Sequence, residues 1–305
     1  MDELFALLRR IPLFDGIDEA RIAAEPLHGG LINRNFKVDC PKGTFVVRVA
    51  GTLSADIVSR REEAVNAKIA SDAGVGPELL YYDETLGNMV IPFLPGETMN
   101  GEIFRTDDDR LLRAARTIRR LHDNGTPFAG CSEVFATIAD YRSIMHDNSL
   151  PEFDGFDDAM HEAEPTREAL ANQNLPQRPC HIDTLAENFI DVDGRMYLID
   201  YEFSGNTDPF WDLGEFAIET GIDDERLIRF LTAYLERQPT EAEFGRAVLY
   251  KALNDLFWPL PALIIAAGDD SVIDFYEYAR TRLARCREAM ASEAYARSLA
   301  AVRQD

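Results

Sequence analysis

Asp183, Asn188 and Asp200 place two carboxylates and an amide oxygen within a short stretch of chain, with His181 just ahead of them. These are hard oxygen donors, the kind that hold Mg²⁺ together with substrate phosphates. A carboxylate beside such a site can accept or orient the proton of an attacking hydroxyl, while held positive charge stabilises the group in transfer. Phosphoryl transfer is therefore the chemistry to test against the rest of the chain. Taken singly, Asp183 could cap a turn and Asp200 could end a strand; the case rests on what brings them together.

A hairpin does so. Phe189-Ile190-Asp191-Val192 and Arg195-Met196-Tyr197-Leu198-Ile199 flank Asp193-Gly194, a dipeptide suited to the type I′ turn of a two-residue loop. Pairing outward from that turn sets Val192 against Arg195, Asn188 against Ile199 and Glu187 against Asp200. Asn188 and Asp200 thus emerge side by side at the open end, with His181-Ile182-Asp183 in the loop before it. His181-x-Asp183, four residues and then Asn188 is also the spacing of a kinase catalytic loop, with Asp200 in the place of the metal-binding aspartate.

Around this hairpin the chain divides by composition. A helix over Glu3–Arg10 precedes Gly29-Gly30, and strands are expected over Asn35–Asp39 and Thr44–Ala50 around Pro41-Lys42-Gly43. A helix from about Ile57 to Asp72 is closed by Gly74 and followed by strands at Leu79–Tyr82 and Asn88–Phe93. Pro92, Pro95 and Gly96 mark a hinge at Phe93–Gly96, after which helices dominate. Thr106 is placed to cap a helix striped by Leu111, Leu112, Ala115, Ile118 and Leu121, and Thr240 with Glu243 forms a capping box. Further helices are expected near 135–146, 156–172, 211–236 and 270–300. The predicted architecture is α+β in two lobes, a β-rich lobe over 1–94 and a larger, mainly helical lobe over 95–305.

The 305 residues are 46% hydrophobic and 28% charged, values of an ordinary globular protein without repeats or low-complexity tracts. Fifty-four acidic against 31 basic residues give a net charge of −23, which repels nucleic acid and anionic lipid and favours cationic or neutral partners. Acidity also serves solubility alone. Cys40, Cys131, Cys180 and Cys286 form no C-x-x-C pair, so reduced thiols in a cytoplasm are expected. The acidic start Met1-Asp2-Glu3-Leu4 is unlike a secretory signal, and the apolar run Leu256–Ala267, interrupted by Pro259 and Pro261, is too short to span a bilayer.

The sequence resembles the choline/ethanolamine kinase family, within the aminoglycoside-phosphotransferase-like small-molecule kinases, over nearly its whole length. The resemblance is carried by Gly29-Gly30-Leu31-Ile32-Asn33-Arg34-Asn35-Phe36, Phe45-Val46-Val47-Arg48-Val49, His181–Asn188, Leu198-Ile199-Asp200-Tyr201-Glu202, Asp208-Pro209-Phe210-Trp211-Asp212-Leu213 and Asp274–Arg280. It implies a protein-kinase-like fold with ATP and Mg²⁺ in a cleft beneath the loop that holds Gly30, Asn33 and Asn35, whose amides would cradle phosphates. Arg48 stands where such kinases often carry lysine. It would contact phosphates and pair with a helix carboxylate, Glu63 in preference to Glu62; a plain ion pair accounts for the two equally well. Adenine would bond the hinge backbone around Pro92 and Leu94.

By the same resemblance Asp183 is catalytic, Asn188 and Asp200 hold the metal, and Asp212 and His181 brace the catalytic loop. Glu202, Glu219, Trp258 and Tyr278 would face a small cationic alcohol, choline or ethanolamine, since carboxylates and aromatic faces recognise ammonium groups. Pro261 stands where choline kinases present a second tryptophan, which leaves the aromatic cage incomplete. An aminoglycoside or other amino-alcohol acceptor is the alternative, and a catalytically inactive nucleotide-binding module is the alternative of another class. His28, His122, His146 and His161 show no metal-ligand spacing and read as ordinary polar residues.

Overall fold

The computed structural model describes residues 1–27, 33–51, 57–150, 153–173, 175–267 and 274–304. The chain runs α1 (Asp2–Leu8), β1 (Ala23–Leu27), β2 (Arg34–Cys40), β3 (Gly43–Val49), α2 (Arg60–Asp72), β4 (Tyr81–Tyr82), β5 (Met89–Pro92) and β6 (Glu97–Thr98). It continues through α3 (Gly101–Thr106), α4 (Asp108–His122), α5 (Val134–Asp147), α6 (Phe156–Ala171), β7 (Arg178–Cys180), β8 (Phe189–Val192), β9 (Arg195–Leu198) and β10 (Gly205–Thr207). Helices α7 (Phe210–Thr220), α8 (Asp224–Leu235), α9 (Glu241–Phe257), α10 (Pro259–Ala266), α11 (Phe275–Met290) and α12 (Glu293–Gln304) complete it. The result is a bilobal α+β fold.

The N-lobe is a five-stranded sheet in the order β1-β2-β3-β5-β4, with antiparallel pairing throughout. Alternation in β2 and β3 turns Phe36, Val38, Phe45, Val47 and Val49 to one buried face, where they meet Leu4, Leu7 and Leu8 of α1. Edge strand β1 has no such pattern. Its sequence AAEPL stays half-exposed, and Pro26 is tolerated there because an edge strand can forgo a ladder donor. Helix α2 starts at Arg60 because Ser59 caps it, accepting from the Glu62 N–H. The sheet strands near 79–93 are shorter than the sequence implied, confined to Tyr81–Tyr82 and Met89–Pro92.

In the C-lobe, Asp107, not Thr106, caps α4, accepting from the Arg110 N–H at 3.0 Å. Thr106 instead ends the short helix α3, and its hydroxyl donates back to the Glu102 carbonyl at 2.8 Å. The single helix expected over 211–236 is two, because Gly221 takes a left-handed conformation with φ 66° and Asp223 caps a new start. The helix expected over 270–300 divides likewise into α11 and α12, where Ser292 Oγ accepts from the Tyr295 N–H at 3.1 Å. Thr240 and Glu243 form the reciprocal capping box of α9. The stretch Glu241–Ala266 is long and apolar enough to cross a membrane by length and composition, yet 83% of its apolar window is buried in the C-lobe. It is longer than Leu256–Ala267 alone because α9 leads into it.

Helix α7 lies tightly on α9. A Cβ at Gly214 would come within 2.5 Å of Tyr250 Cβ and 2.8 Å of the Tyr250 carbonyl carbon, so only glycine permits this approach. Gly214→Ala is expected to destabilise the protein by about 1–3 kcal/mol despite alanine's better helix propensity, because neither helix backbone can yield cheaply. Urea denaturation measures it; an unchanged midpoint would show that the helices separate freely.

Candidate active site

The hairpin forms in the register read from sequence, with Phe189 opposite Leu198 and Val192 opposite Arg195. Asp193 and Gly194 take φ of 50° and 84°, as a type I′ turn requires. The ladder extends one step to the open end, where the Ile199 N–H donates to the Asn188 carbonyl at 3.0 Å. Asn188 Nδ2 donates to the Asp183 carbonyl at 2.8 Å and to its Oδ2 at 3.2 Å. Asp183, Asn188 and Asp200 all line one cavity of about 750 Å³ between the lobes.

Backbone strain is held on both sides of the hairpin. Ile182 has φ 72° and Asp200 has φ 69°, a region that costs a non-glycine residue of order 1–3 kcal/mol. Asp212, fully buried on α7, accepts from the His181 N–H through Oδ2 and the Ile182 N–H through Oδ1, both at 2.8 Å. His181 Nε2 donates to the Ile199 carbonyl at 2.9 Å, tying the loop to the hairpin. His122 reaches Asp212 Oδ2 from α4 at 2.9 Å. With that N–H given to the carboxylate, His122 Nδ1 accepts from the Tyr234 hydroxyl at 2.8 Å. His122, Cys180 and Asp212 present potential metal-ligand atoms within 4.8 Å of one another, but both Asp212 oxygens are already taken by N–H donors, which makes this a hydrogen-bond brace. Sequence spacing had no means of finding His122, which lies 90 residues from its partner.

On the N-lobe side Arg48 Nη2 lies 2.5 Å from Glu63 Oε1 and its Nη1 lies 3.5 Å from Asp200 Oδ1. Burial works against the Arg48 charge, but Glu63, Asp200 and Glu202 raise its pKa. Arg60, which sequence reading passed over, bridges Glu63 at 2.9 Å and Glu202 at 3.1 Å. Asn33 adds a hydrogen bond to Glu202 at 3.2 Å. Asn33, Asn35, Pro92 and Leu94 line the cavity, while Gly30 lies outside the described residues.

Carboxylates crowd the same cavity. Burial, then the charges of Asp200, Glu202 and Glu219, push Asp183 well above the usual aspartate range. Burial also raises Asp200, against the pull of Arg48. Glu202 is pushed up to about 7 by burial and by Asp200.

Glu202, Glu219, Trp258, Pro261 and Tyr278 stand on the wall as well. Glu219 is ion-paired to Arg282, which also meets the Tyr278 hydroxyl at 3.0 Å and Asp255 at 3.0 Å. Trp258 packs edge-on against Phe203, with ring centroids 5.1 Å apart. Arg282, Phe203 and the fully buried Glu215 line the cavity too. Of these, Glu215 had a visible signal: it precedes Glu219 by one turn on the face of α7 that also carries Asp212.

The sequence profile of the choline/ethanolamine kinase family matches residues 24–286. A crystal structure of a choline/ethanolamine kinase family protein from Mesorhizobium loti is 38% identical, with a TM-score of 0.87 over 100% of this chain and 99% of that one. The choline kinase LicA of Streptococcus pneumoniae shares the fold at 22% identity, with a TM-score of 0.81 over 95% of this chain and 99% of its own. Protein LicA of Haemophilus influenzae is 25% identical over 270 residues, 84% of this chain and 76% of that protein. A profile match across most of the chain and a relative similar over its full length have one consequence: the chain belongs to the choline/ethanolamine kinase family and is a phosphotransferase with an alcohol group as acceptor.

Proposed function

We propose that this enzyme transfers the γ-phosphoryl group of ATP, with Mg²⁺, to the hydroxyl of a small cationic alcohol, choline or ethanolamine. The observation that carries the reading is the shared cavity: its wall holds Asp183, Asn188 and Asp200 together with Glu202, Glu219, Trp258 and Tyr278. A LicA structure of the same fold is a complex with AMP, which supports a nucleotide in this cleft. On this reading residues 1–94 bind the nucleotide and residues 95–305 carry the catalytic loop and the acceptor.

The donor set fits Mg²⁺. Asn188 engages its amide N–H groups with Asp183, which leaves Oδ1 as its acceptor, and Asp200 adds carboxylate oxygens. When bound, Mg²⁺ would supply charge neutralisation on the phosphoryl oxygens. Asp183 accepts the proton of the acceptor hydroxyl, held in position by Asn188 and by the loop that Asp212 and His181 fix. Arg48, kept in place by Glu63, meets the phosphates from β3 beside Asn33 and Asn35; Gly30 is assigned to the same phosphate loop by the family resemblance. The hinge backbone at Pro92 and Leu94 meets the adenine. Glu202 and Glu219 provide negative potential for the ammonium group, with Trp258 and Tyr278 as its aromatic surface. The thiols of Cys40, Cys131, Cys180 and Cys286 are unbridged, in keeping with a cytoplasmic setting.

ADP release from purified protein, with and without Mg²⁺, across choline, ethanolamine, other amino alcohols and aminoglycosides tests this. Metal-dependent turnover selective for choline or ethanolamine is expected. Turnover with amino sugars alone would move the acceptor class, and ADP release with no member of the panel would overturn the proposal.

A further inference from the structure

Glu215 is the unmatched carboxylate of the acceptor pocket. Its side chain is fully buried, it lines the cavity, and neither carboxylate oxygen has a hydrogen-bond partner among the described residues. Other glutamates on the wall are compensated: Glu63 by Arg48 and Arg60, Glu202 by Arg60, Glu219 by Arg282. Burial, then the charges of Asp183 and Glu219, raise the Glu215 pKa well above the glutamate range, with Arg282 acting the other way. A buried carboxylate without donors is costly, and such a group in a native fold calls for an occupant that supplies them.

The rest of the wall narrows what that occupant is. Trp258 is already packed edge-on by Phe203 and Phe257, and Pro261, Ala262 and Ile265 beside it are not aromatic. A quaternary ammonium can meet the rings of Trp258 and Tyr278 on this wall but has no N–H to give to Glu215. An ammonium that keeps an N–H finds two carboxylate oxygens lacking a donor.

We propose that Glu215 is an acceptor-binding residue that receives an N–H hydrogen bond from the substrate's ammonium group and so selects primary to tertiary amino alcohols over quaternary ones. This rests on the kinase reading above and refines its acceptor. A site built around a buried hydrogen bond discriminates strongly against an analogue that lacks the donor.

The test is a methylation series, ethanolamine, N-methylethanolamine, N,N-dimethylethanolamine and choline, titrated calorimetrically into the full-length protein, with ADP release measured in parallel. Affinity is expected to fall by about tenfold or more at the last step, where the final N–H is lost and the charge is kept. Glu215→Gln is expected to weaken the N–H-bearing members by about tenfold and to level the series. The variant should melt close to the wild type, since glutamine matches glutamate in shape and no hydrogen bond to the Glu215 oxygens is given up among the described residues. Choline binding as tightly as ethanolamine in the wild type would overturn the inference whatever the variant does, as would an unchanged ranking in Glu215→Gln. N–H-selective binding without ADP release would support Glu215 and sink the kinase reading; turnover with choline preferred would do the reverse.

Discussion

Asp183→Asn should lower kcat by about a thousandfold, within the range lost when a positioned general base is removed, and should leave the melting temperature unchanged or raised. The two effects share one cause. Asp183 is half-buried among like charges, and Asp200, Glu202 and Glu219 all work against its ionisation. The amide matches the carboxylate in shape and removes one charge from that crowd, which relieves repulsion. It cannot take a proton from the acceptor hydroxyl. The Asn188 contact to the Asp183 backbone carbonyl, at 2.8 Å, survives the change, so the loop keeps its tie to the hairpin. Nucleotide affinity should stay within about twofold, because the general-base role is separate from phosphate binding. ADP release and differential scanning fluorimetry on the same preparations decide it. A large fall in melting temperature would mean that Asp183 supports the fold, and full activity would remove it from the chemistry.

How far the sequence reveals this site depends on whether the interaction is local. Asn188 and Asp200 could be set side by side from the register because Asp193-Gly194 specifies a turn, and the turn specifies every pair behind it. The capping box at Thr240 and Glu243 is equally local and equally legible. Periodicity ran past Gly221 and Ser292 because apolar residues keep helical spacing on both sides of each break; only the caps at Asp223 and Ser292 mark new starts. Strand β1 escaped because an edge strand with Pro26 has little buried face to alternate. At the site, Arg60 and His122 stayed hidden for a different reason. Each works through partners distant in sequence, Glu202 for Arg60 and Asp212 for His122, and charge or ring chemistry alone does not say which partner the fold will supply. Glu215 was in plain view beside Glu219, but its lack of a hydrogen-bond partner among the described residues is a property of packing that no spacing encodes.

Asp212→Asn should cost about 2–4 kcal/mol in stability and at least about tenfold in kcat, through its backbone contacts and not through any contact with substrate. Both carboxylate oxygens are committed, Oδ1 to the Ile182 N–H and Oδ2 to the His181 N–H and His122 Nε2. An asparagine keeps one oxygen and turns an NH₂ toward whichever N–H loses its acceptor, so at least one buried backbone donor is left unmatched. The consequence is sharpened by strain. Ile182 sits at φ 72°, where a β-branched residue stays only while its surroundings over-determine it. With one hydrogen bond gone, relaxation of Ile182 toward ordinary backbone angles carries the adjacent Asp183 away from Asn188. The Thr184 hydroxyl, which donates to the Asp212 backbone carbonyl at 2.9 Å, does not depend on the side chain and should prevent complete loss of the loop. A partial effect is therefore expected: a lower urea midpoint, a reduced kcat and a nucleotide KM close to the wild-type value. Should the variant match the wild type in both midpoint and kcat, the strain at Ile182 must be held by Thr184 and the hairpin alone, and Asp212 would be a spectator in the core.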